Sequence, residues 1–158
     1  MSVTTEPAQH VLERTQQAEH PFCIVCGRAN ACGLGLRFTL RDDGSVEACF
    51  ECPAQFQGYE GLLHGGVTSS LLDGAMTNCL FAHGVAAVTA EMTVRFRLPI
   101  ELNSPLVVCA QITRSQVPLY DVEARIVQAG QVKAKAIGKF MERTGGLHVP
   151  EATMWTDG

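Results

Sequence analysis

The chain has 158 residues, of which 46% are hydrophobic and only 18% are charged. A chain of this length forms one domain and buries roughly 70% of the surface that it exposes when unfolded, so it needs no disulfide or metal cross-links to hold a core. The net charge of −4 argues against binding to a nucleic-acid backbone. The low charged fraction leaves little solvated surface for a monomer and predicts self-association.

The sequence also indicates the cellular compartment. No stretch approaches the roughly 20 consecutive apolar residues of a membrane span, and Glu6, Pro7 and Glu13 stand where a signal peptide would be apolar. The seven cysteines are an odd number, which favours free thiols in a reducing compartment. We therefore expect a cytoplasmic protein that makes no contact with a membrane.

The first part of the chain predicts an extension, a loop and a hairpin. Residues 1–21 are polar and predict an N-terminal helical extension. A loop rich in glycine and cysteine follows, with Cys23 and Cys26 in a CxxC spacing. Over residues 36–52 apolar and polar side chains alternate on both sides of the turn Asp42-Asp43-Gly44, which predicts a β-hairpin with one buried face.

The middle of the chain predicts a long helix. Apolar residues recur at helical spacing from Val67 to Leu80, and Gly84 is suited to end the helix. This segment contains no lysine, arginine or glutamate, so we place it largely in the core. Alternating patterns then predict strands over about 88–98, 106–114, 119–128 and 131–143.

The order of these elements predicts an α+β architecture in which a curved antiparallel sheet of about six strands wraps around one long central helix. The domain covers residues 22–143, and residues 144–158 form a C-terminal tail. An open sheet of this kind has exposed edges, and pairing of two copies edge to edge is a common remedy. We therefore expect a homodimer.

The start of the central helix carries the clearest candidate site. His64, Gly65 and Gly66 stand at a helix N-terminus, where unpaired N–H groups and the positive end of the helix dipole suit a developing oxyanion. At about 100° per residue, one polar stripe runs along the otherwise apolar helix, and a polar stripe on a buried helix faces a cavity, water or a partner chain. Its members are Gly66, Ser69, Ser70, Asp73 and Thr77. Spacing alone leaves open that Asp73 is only a hydrogen-bonded buried residue and that the glycines only form a tight turn.

Three motifs together resemble the PaaI-type acyl-CoA thioesterases of the hotdog-fold superfamily. The resemblance runs from about Phe22 to about Met141 and includes the loop Cys23-x-x-Cys26-Gly27-x-x-Asn30-x-x-Gly33-Leu34-x-Leu36. The motifs are Leu63-His64-Gly65-Gly66-Val67, Leu72-Asp73-Gly74-Ala75-Met76 and Thr89-Ala90-Glu91-Met92-Thr93-Val94-Arg95-Phe96-Arg97-Leu98-Pro99-Ile100.

The resemblance implies a hotdog dimer, or a tetramer built as a dimer of dimers, with active sites at the subunit interface. The implied reaction is hydrolysis of an acyl-CoA to a carboxylic acid and free coenzyme A, without a metal or another cofactor. The N–H of Gly65 would polarise the thioester carbonyl, and Asp73 of the other subunit would be general base or nucleophile. Thr89 would hold the water or the carboxylate, and His64 would orient the loop or contact the carbonyl. Candidate substrate-binding residues are Gly66, Ser69, Ser70, Thr77, Asn30, Arg95 and Arg97, the two arginines for coenzyme A phosphates.

Two residues conflict with simple patterns. Glycine at position 74, inside the predicted helix, makes the helix less stable than alanine would by up to about 1 kcal/mol. We therefore expect that other atoms approach this position too closely for a side chain. Strict alternation along the strand places Val88, Ala90 and Met92 on the core face and Thr89 on the opposite face.

The cysteines raise the alternative of a zinc site. Cys23 and Cys26 form a CxxC pair, and so do Cys49 and Cys52, but residues three apart in a strand point to opposite faces and do not chelate one ion. A site of Cys23, Cys26 and Cys32 lacks an obvious fourth ligand. The peripheral histidines support no site, and they are His10, His20 and His148.

Two other functions remain as alternatives at this stage. A non-catalytic acyl-CoA-binding or sensing protein could have the same fold, although a binder needs no carboxylate beside the thioester. A hotdog dehydratase or hydratase would need a histidine and an acid in a different arrangement at the start of the helix.

Overall fold

The computed structural model describes residues 6–143. The extension contains one helix, α1 (Gln9–Glu19), and the long central helix is α2 (Gly65–Ala82). The predicted tail, residues 144–158, lies outside the described residues. The strands are β1 (Thr39–Leu40), β2 (Val46–Glu51), β3 (Ala87–Phe96), β4 (Pro105–Gln116), β5 (Leu119–Gln128) and β6 (Gln131–Glu142).

The six strands form one sheet in the order β1-β2-β4-β5-β6-β3, and every neighbouring pair is antiparallel. Helix α2 contacts strands β2, β3, β4, β5 and β6, so the sheet wraps around it. The predicted α+β architecture is confirmed. Strand β3 lies at one end of this order, with β6 as its neighbour within the described residues.

Helix α2 forms the centre of the core because its sequence is almost uncharged. Leu71, Leu72, Ala75, Met76 and Cys79 are fully buried, and each large apolar side chain that is buried contributes about 1.5–3 kcal/mol. The opposing surface consists of alternate residues of the strands, as the period-two pattern predicts. On β5 these are Tyr120, Val122, Ala124 and Ile126.

The first predicted strand is shorter than expected because another segment takes its hydrogen bonds. Leu36 and Phe38 are buried as the alternation predicts. Leu36, however, donates its N–H to the carbonyl of Val25 in the cysteine-rich loop, so strand pairing begins only at Thr39. The loop is therefore built against the edge of the hairpin.

Strand β3 corrects the prediction of one uninterrupted alternation. Thr89 pairs with Phe140 and Glu91 pairs with Lys139, so Ala90 is an extra residue in a β-bulge. A bulge changes which face the following residues occupy. Thr89 therefore shares the core face with the fully buried Phe140, whereas Val88 is 49% exposed.

Within residues 6–143, no helix has the length and apolar character that would let it cross a membrane.

Candidate active site

The N-terminus of α2 is capped by the side chain of the residue before it. The N–H of Gly66 donates to Nδ1 of His64 at 2.9 Å. Because Nδ1 is the acceptor, a neutral ring carries its proton on Nε2. His64 is thus the N-cap of the helix. Gly66 is predicted to bind substrate, but its N–H is already used in the hydrogen bond to His64.

The N–H of the preceding residue remains free. Gly65 is exposed and is the first residue of the helix, where no carbonyl four residues earlier lies within the helix. Within residues 6–143, no protein acceptor takes this N–H. It therefore stands at the positive end of the helix dipole and can donate to a ligand oxygen.

The peptide that carries this N–H is held in place from both sides. His64 donates its N–H to the carbonyl of Phe56 at 3.0 Å, and Leu63 donates to Ile100 at 2.9 Å. On the other side of Gly65, the hydrogen bond from the N–H of Gly66 to the ring of His64 holds the backbone in place. A donor that is fixed before the ligand arrives needs no reorganisation when charge develops.

Asp73 is the only carboxylate on α2, and it is partly buried. Thr89 donates its hydroxyl to Oδ1 of Asp73 at 2.7 Å. Strict alternation predicts that Thr89 lies on the other face of the sheet, and the bulge at Ala90 explains why it reaches the helix instead. One carboxylate oxygen is fixed by this bond.

Within one chain, the free N–H and the carboxylate are far apart. Asp73 lies eight residues after Gly65 along one helix, and a helix rises 1.5 Å per residue, which gives about 12 Å between these positions. One carbonyl group contacts two residues only when both are within about 3 Å of its atoms. A single subunit therefore does not bring both to one thioester.

The other residues of the predicted polar stripe are mostly engaged by the helix itself. Ser69 donates its hydroxyl to the carbonyl of Gly65 at 3.1 Å, and Ser70 donates to Gly66 at 2.9 Å. Thr77 is only 5% exposed, so it offers little surface to a substrate. The stripe is less open than its spacing indicated, and Asp73 is its clearest chemical feature.

Asn30 contributes to the structure of the cysteine-rich loop. Its amide nitrogen donates to the carbonyl of Phe22 at 3.1 Å, and its oxygen accepts from the N–H of Cys32 at 3.0 Å. Both polar atoms of the side chain are thus hydrogen-bonded inside the loop. The predicted contact between Asn30 and substrate has no support in this geometry.

The two candidate arginines lie in different places. Arg95 on β3 pairs with Lys135 on β6, which in turn pairs with Arg125 on β5. These three form a cationic row on the sheet face opposite α2, and they line a cavity of about 500 Å³ that Asp43 and Glu123 also line. Arg97 lies beyond the end of β3 and does not line that cavity. The sequence alone did not reveal the row because it depends on the register of three strands.

The cysteine-rich loop packs directly against α2 beside the carboxylate. A Cβ atom built on Gly74 would lie 2.5 Å from Cγ1 of Val25, closer than packed atoms can approach. The expected close approach at this glycine is confirmed, and its cause is the loop.

Two thiols of this loop are close to each other and to His20. The thiol of Cys26 donates to the sulfur of Cys23, and this bond, with bonds from His20 and from the N–H groups of Cys26 and Val25, lowers the pKa of Cys23 to about 3. The same bond and burial raise the pKa of Cys26. The sequence pattern places His20 in a peripheral segment that supports no site, and the structure corrects this; the signal for the cluster is the spacing His20-x-x-Cys23-x-x-Cys26.

The second cysteine pair behaves as predicted for a strand. Cys49 is exposed, whereas Cys52 just after β2 is fully buried. The two thiols thus lie on opposite sides, and this pair does not form part of a common cluster with the first.

The chain is similar in sequence and in fold to known thioesterases and related proteins. A family model described as "Thioesterase superfamily" matches residues 60–135, which include the loop before α2, all of α2 and strands β3, β4 and β5. Acyl-coenzyme A thioesterase THEM4 of Bos taurus is 31% identical over 85 residues, covering 52% of this chain and 35% of that protein. The chain thus spans about a third of the length of the curated relatives that it matches.

Solved structures share the architecture. The Escherichia coli PaaI protein from the phenylacetic acid degradation operon has a TM-score of 0.73 and 24% identity, over 86% of this chain and 96% of that one. A Streptococcus mutans protein solved with acetyl CoA has a TM-score of 0.64 and 19% identity, over 68% and 88% of the two chains. The shared architecture shows that the chain has the hotdog fold, and the match to the thioesterase superfamily model covers just under half of the chain.

Proposed function

We propose that this protein is an acyl-CoA thioesterase, which hydrolyses the thioester to a carboxylic acid and free coenzyme A. The observation that carries the proposal is the lone carboxylate of α2, Asp73, held by Thr89 at 2.7 Å on a helix whose N-terminal Gly65 offers a free N–H. The name of the bovine relative and the acetyl CoA bound to the streptococcal protein support this class of substrate.

The proposed site is formed by two subunits. About 12 Å along α2 separates Gly65 from Asp73, so each thioester needs Gly65 of one subunit and Asp73 of the other. Strand β3 carries Thr89 and lies at the end of the sheet, where a second copy can add its own β3 in antiparallel pairing. Self-association also agrees with the low charged fraction. A dimer of dimers stays a prediction.

The chemistry follows from the two groups. The N–H of Gly65 donates to the thioester oxygen and stabilises the negative charge that develops there. Asp73 accepts a proton from a water molecule, whose oxygen attacks the carbonyl carbon. The carbon–sulfur bond then breaks, and the coenzyme A sulfur leaves with the proton. In the alternative route, Asp73 attacks the carbon itself, the carbon–sulfur bond breaks and the coenzyme A thiolate leaves. Water then hydrolyses the anhydride, which frees the product acid and Asp73 and releases the proton that the thiolate takes up.

The surrounding residues have supporting roles in this proposal. Thr89 orients the carboxylate, and His64 fixes the loop that carries Gly65. The cationic row of Arg95, Lys135 and Arg125 is suited to the phosphates of coenzyme A, because adjacent like charges favour an anionic ligand between them.

The test is the rate of thiol release from short, medium and aromatic acyl-CoAs. We expect Asp73→Asn to lower kcat by about 10²- to 10⁴-fold, because it removes the base and keeps the shape. A protein that binds acyl-CoA without releasing thiol would be the non-catalytic alternative. Undiminished hydrolysis by Asp73→Asn would rule out the assigned role.

The N–H of Gly65 can be removed with little disturbance of the fold. Proline is favoured at the first position of a helix, and His64 before it has φ −62° and ψ 135°, which proline tolerates in its predecessor. Gly65→Pro should lower kcat by about 10²- to 10³-fold. Gly65→Ala is the matched control because it adds a Cβ and keeps the N–H, so it should retain most of the activity.

A further inference from the structure

A side-chain cluster outside the proposed catalytic residues joins the end of α1 to the cysteine-rich loop. The ligand atoms of His20, Cys23 and Cys26 all lie within 4.8 Å of one another. Nδ1 of His20 is 4.0 Å from Sγ of Cys26. Imidazole nitrogen and cysteine sulfur are the ligands that zinc takes in proteins.

We propose that His20, Cys23 and Cys26 bind a divalent transition metal ion, with Zn²⁺ as the favoured ion and a fourth position for water. Zinc bonds of about 2.3 Å to sulfur and about 2.0 Å to nitrogen place tetrahedral ligand atoms roughly 3.5–3.8 Å apart. The cluster reaches that spacing when its ligand atoms move by about 1 Å or less. The inference does not depend on the proposed hydrolysis.

The backbone of the loop is shaped for two adjacent sulfur ligands. The N–H of Gly27 donates to the carbonyl of Cys23 at 2.9 Å, which closes a tight turn. A Cβ on Gly27 would lie 2.3 Å from the nitrogen of Cys23, so only glycine permits this turn. The N–H of Val25 donates to Sγ of Cys23 at 3.4 Å, which fixes the position of this sulfur.

The histidine is positioned by residues of both helices. Gln16 is buried and donates to the carbonyl of His20 at 3.1 Å and to that of Cys26 at 2.9 Å. The ring of His20 meets the ring of Phe81 on α2 edge to face, with centroids 5.0 Å apart. The three ligands are therefore held near one another by α1 and α2, so binding requires little ordering.

A buried acceptor next to the cluster also fits this assignment. The side chain of Asn78 on α2 lies within hydrogen-bonding distance of the Cys26 thiol. Within the described part of the chain, Oδ1 of Asn78 is buried without a hydrogen-bond partner. Buried acceptors of this kind are usually satisfied, and a water held by the ion would supply a donor.

The position of the cluster indicates what the ion would do. The loop that carries both cysteines contacts α2 through Val25 at Gly74, which directly follows Asp73. An ion held by α1 and this loop would fix the loop against the helix of the proposed site. We therefore expect it to stabilise the fold and to take no part in the hydrolysis itself.

The experiment uses the full chain, reduced and stripped of metal by a chelator. Zn²⁺ is titrated in competition with a chromophoric chelator, and Co²⁺ is added separately to record thiolate-to-metal charge-transfer absorption. We expect one ion per chain, a cobalt spectrum typical of two thiolates, and a Zn²⁺-dependent increase in Tm. Cys23→Ser and His20→Ala should each weaken binding by more than about 100-fold.

Cys32→Ser is the matched control, because Cys32 lies exposed in the same loop and outside the cluster. It should leave affinity and spectrum unchanged. Far-UV circular dichroism of each variant in the absence of metal checks that it is folded, and Cys23, only partly buried, tolerates serine better than the buried Cys26. No binding by the reduced wild-type protein, or binding that Cys23→Ser leaves intact, would overturn the proposal.

Discussion

At the scale of single residues, the contact between Thr89 and Asp73 shows how a small irregularity produces a candidate site. Without the bulge at Ala90, the alternation would direct Thr89 away from α2. With the bulge, its hydroxyl lies 2.7 Å from Oδ1 of Asp73. The proposed base therefore depends on a backbone feature that side-chain patterns do not encode.

This contact gives a prediction at the same scale. Thr89→Val removes the hydroxyl and keeps the shape, and we expect kcat to fall about tenfold with little change in KM, because the carboxylate loses one hydrogen bond. Thr89→Ser keeps a hydroxyl and should restore most of the rate. Thr113→Val on β4 is the control for the loss of a threonine hydroxyl, because Thr113 is exposed and does not line the cavity of the cationic row. A Thr89→Val enzyme with the wild-type kcat would show that the hydroxyl has no positioning role.

At the scale of elements, packing of the cysteine-rich loop against α2 explains a glycine in the middle of a helix. The sequence predicts that atoms of another segment approach Gly74, because glycine weakens a helix and its presence there needs a reason such as close packing. It did not identify the partner as Val25, since the loop has no periodic pattern and its path depends on hydrogen bonds to Leu36.

Replacement of this glycine should reveal the contact. Gly74→Ala should lower the free energy of unfolding by about 1–3 kcal/mol through overpacking, although alanine is the better helix former. Adding Val25→Ala should recover part of this loss, so the two effects should not be additive. Denaturant unfolding measures both, with Gly65→Ala as the control because its Cβ meets only ordinary contacts. Strict additivity would contradict the proposed clash.

The same scale shows which predictions a single sequence supports. Periodic patterns located α2 and the later strands, and the missing charges of α2 correctly placed it in the core. The pairing partner of residues 34–36, the bulge in β3 and the row of Arg95, Lys135 and Arg125 were not predicted. All three depend on strand register and on contacts between segments distant in the chain.

At the scale of the whole molecule, the chain contains both proposed catalytic groups and holds them too far apart to act together. The separation along α2 follows from helix geometry and does not depend on details of side-chain placement. The roles of Gly65 and Asp73 therefore require association, for which the edge strand β3 is suited.

Mixed dimers test this central claim most directly. Asp73→Asn and Gly65→Pro chains carry different affinity tags and are co-expressed, and dimers with one chain of each kind are isolated through both tags. Thiol release should reach about half the wild-type rate per dimer, because one of the two shared sites retains an intact Asp73 and an intact Gly65. Each variant alone should be nearly inactive.

The reciprocal dimer, wild type paired with a chain that carries both substitutions, should be nearly inactive, because each shared site then lacks one group. A site contained within one chain predicts the opposite pattern: no activity in the first dimer and about half in the second. Observation of that opposite pattern would contradict the account.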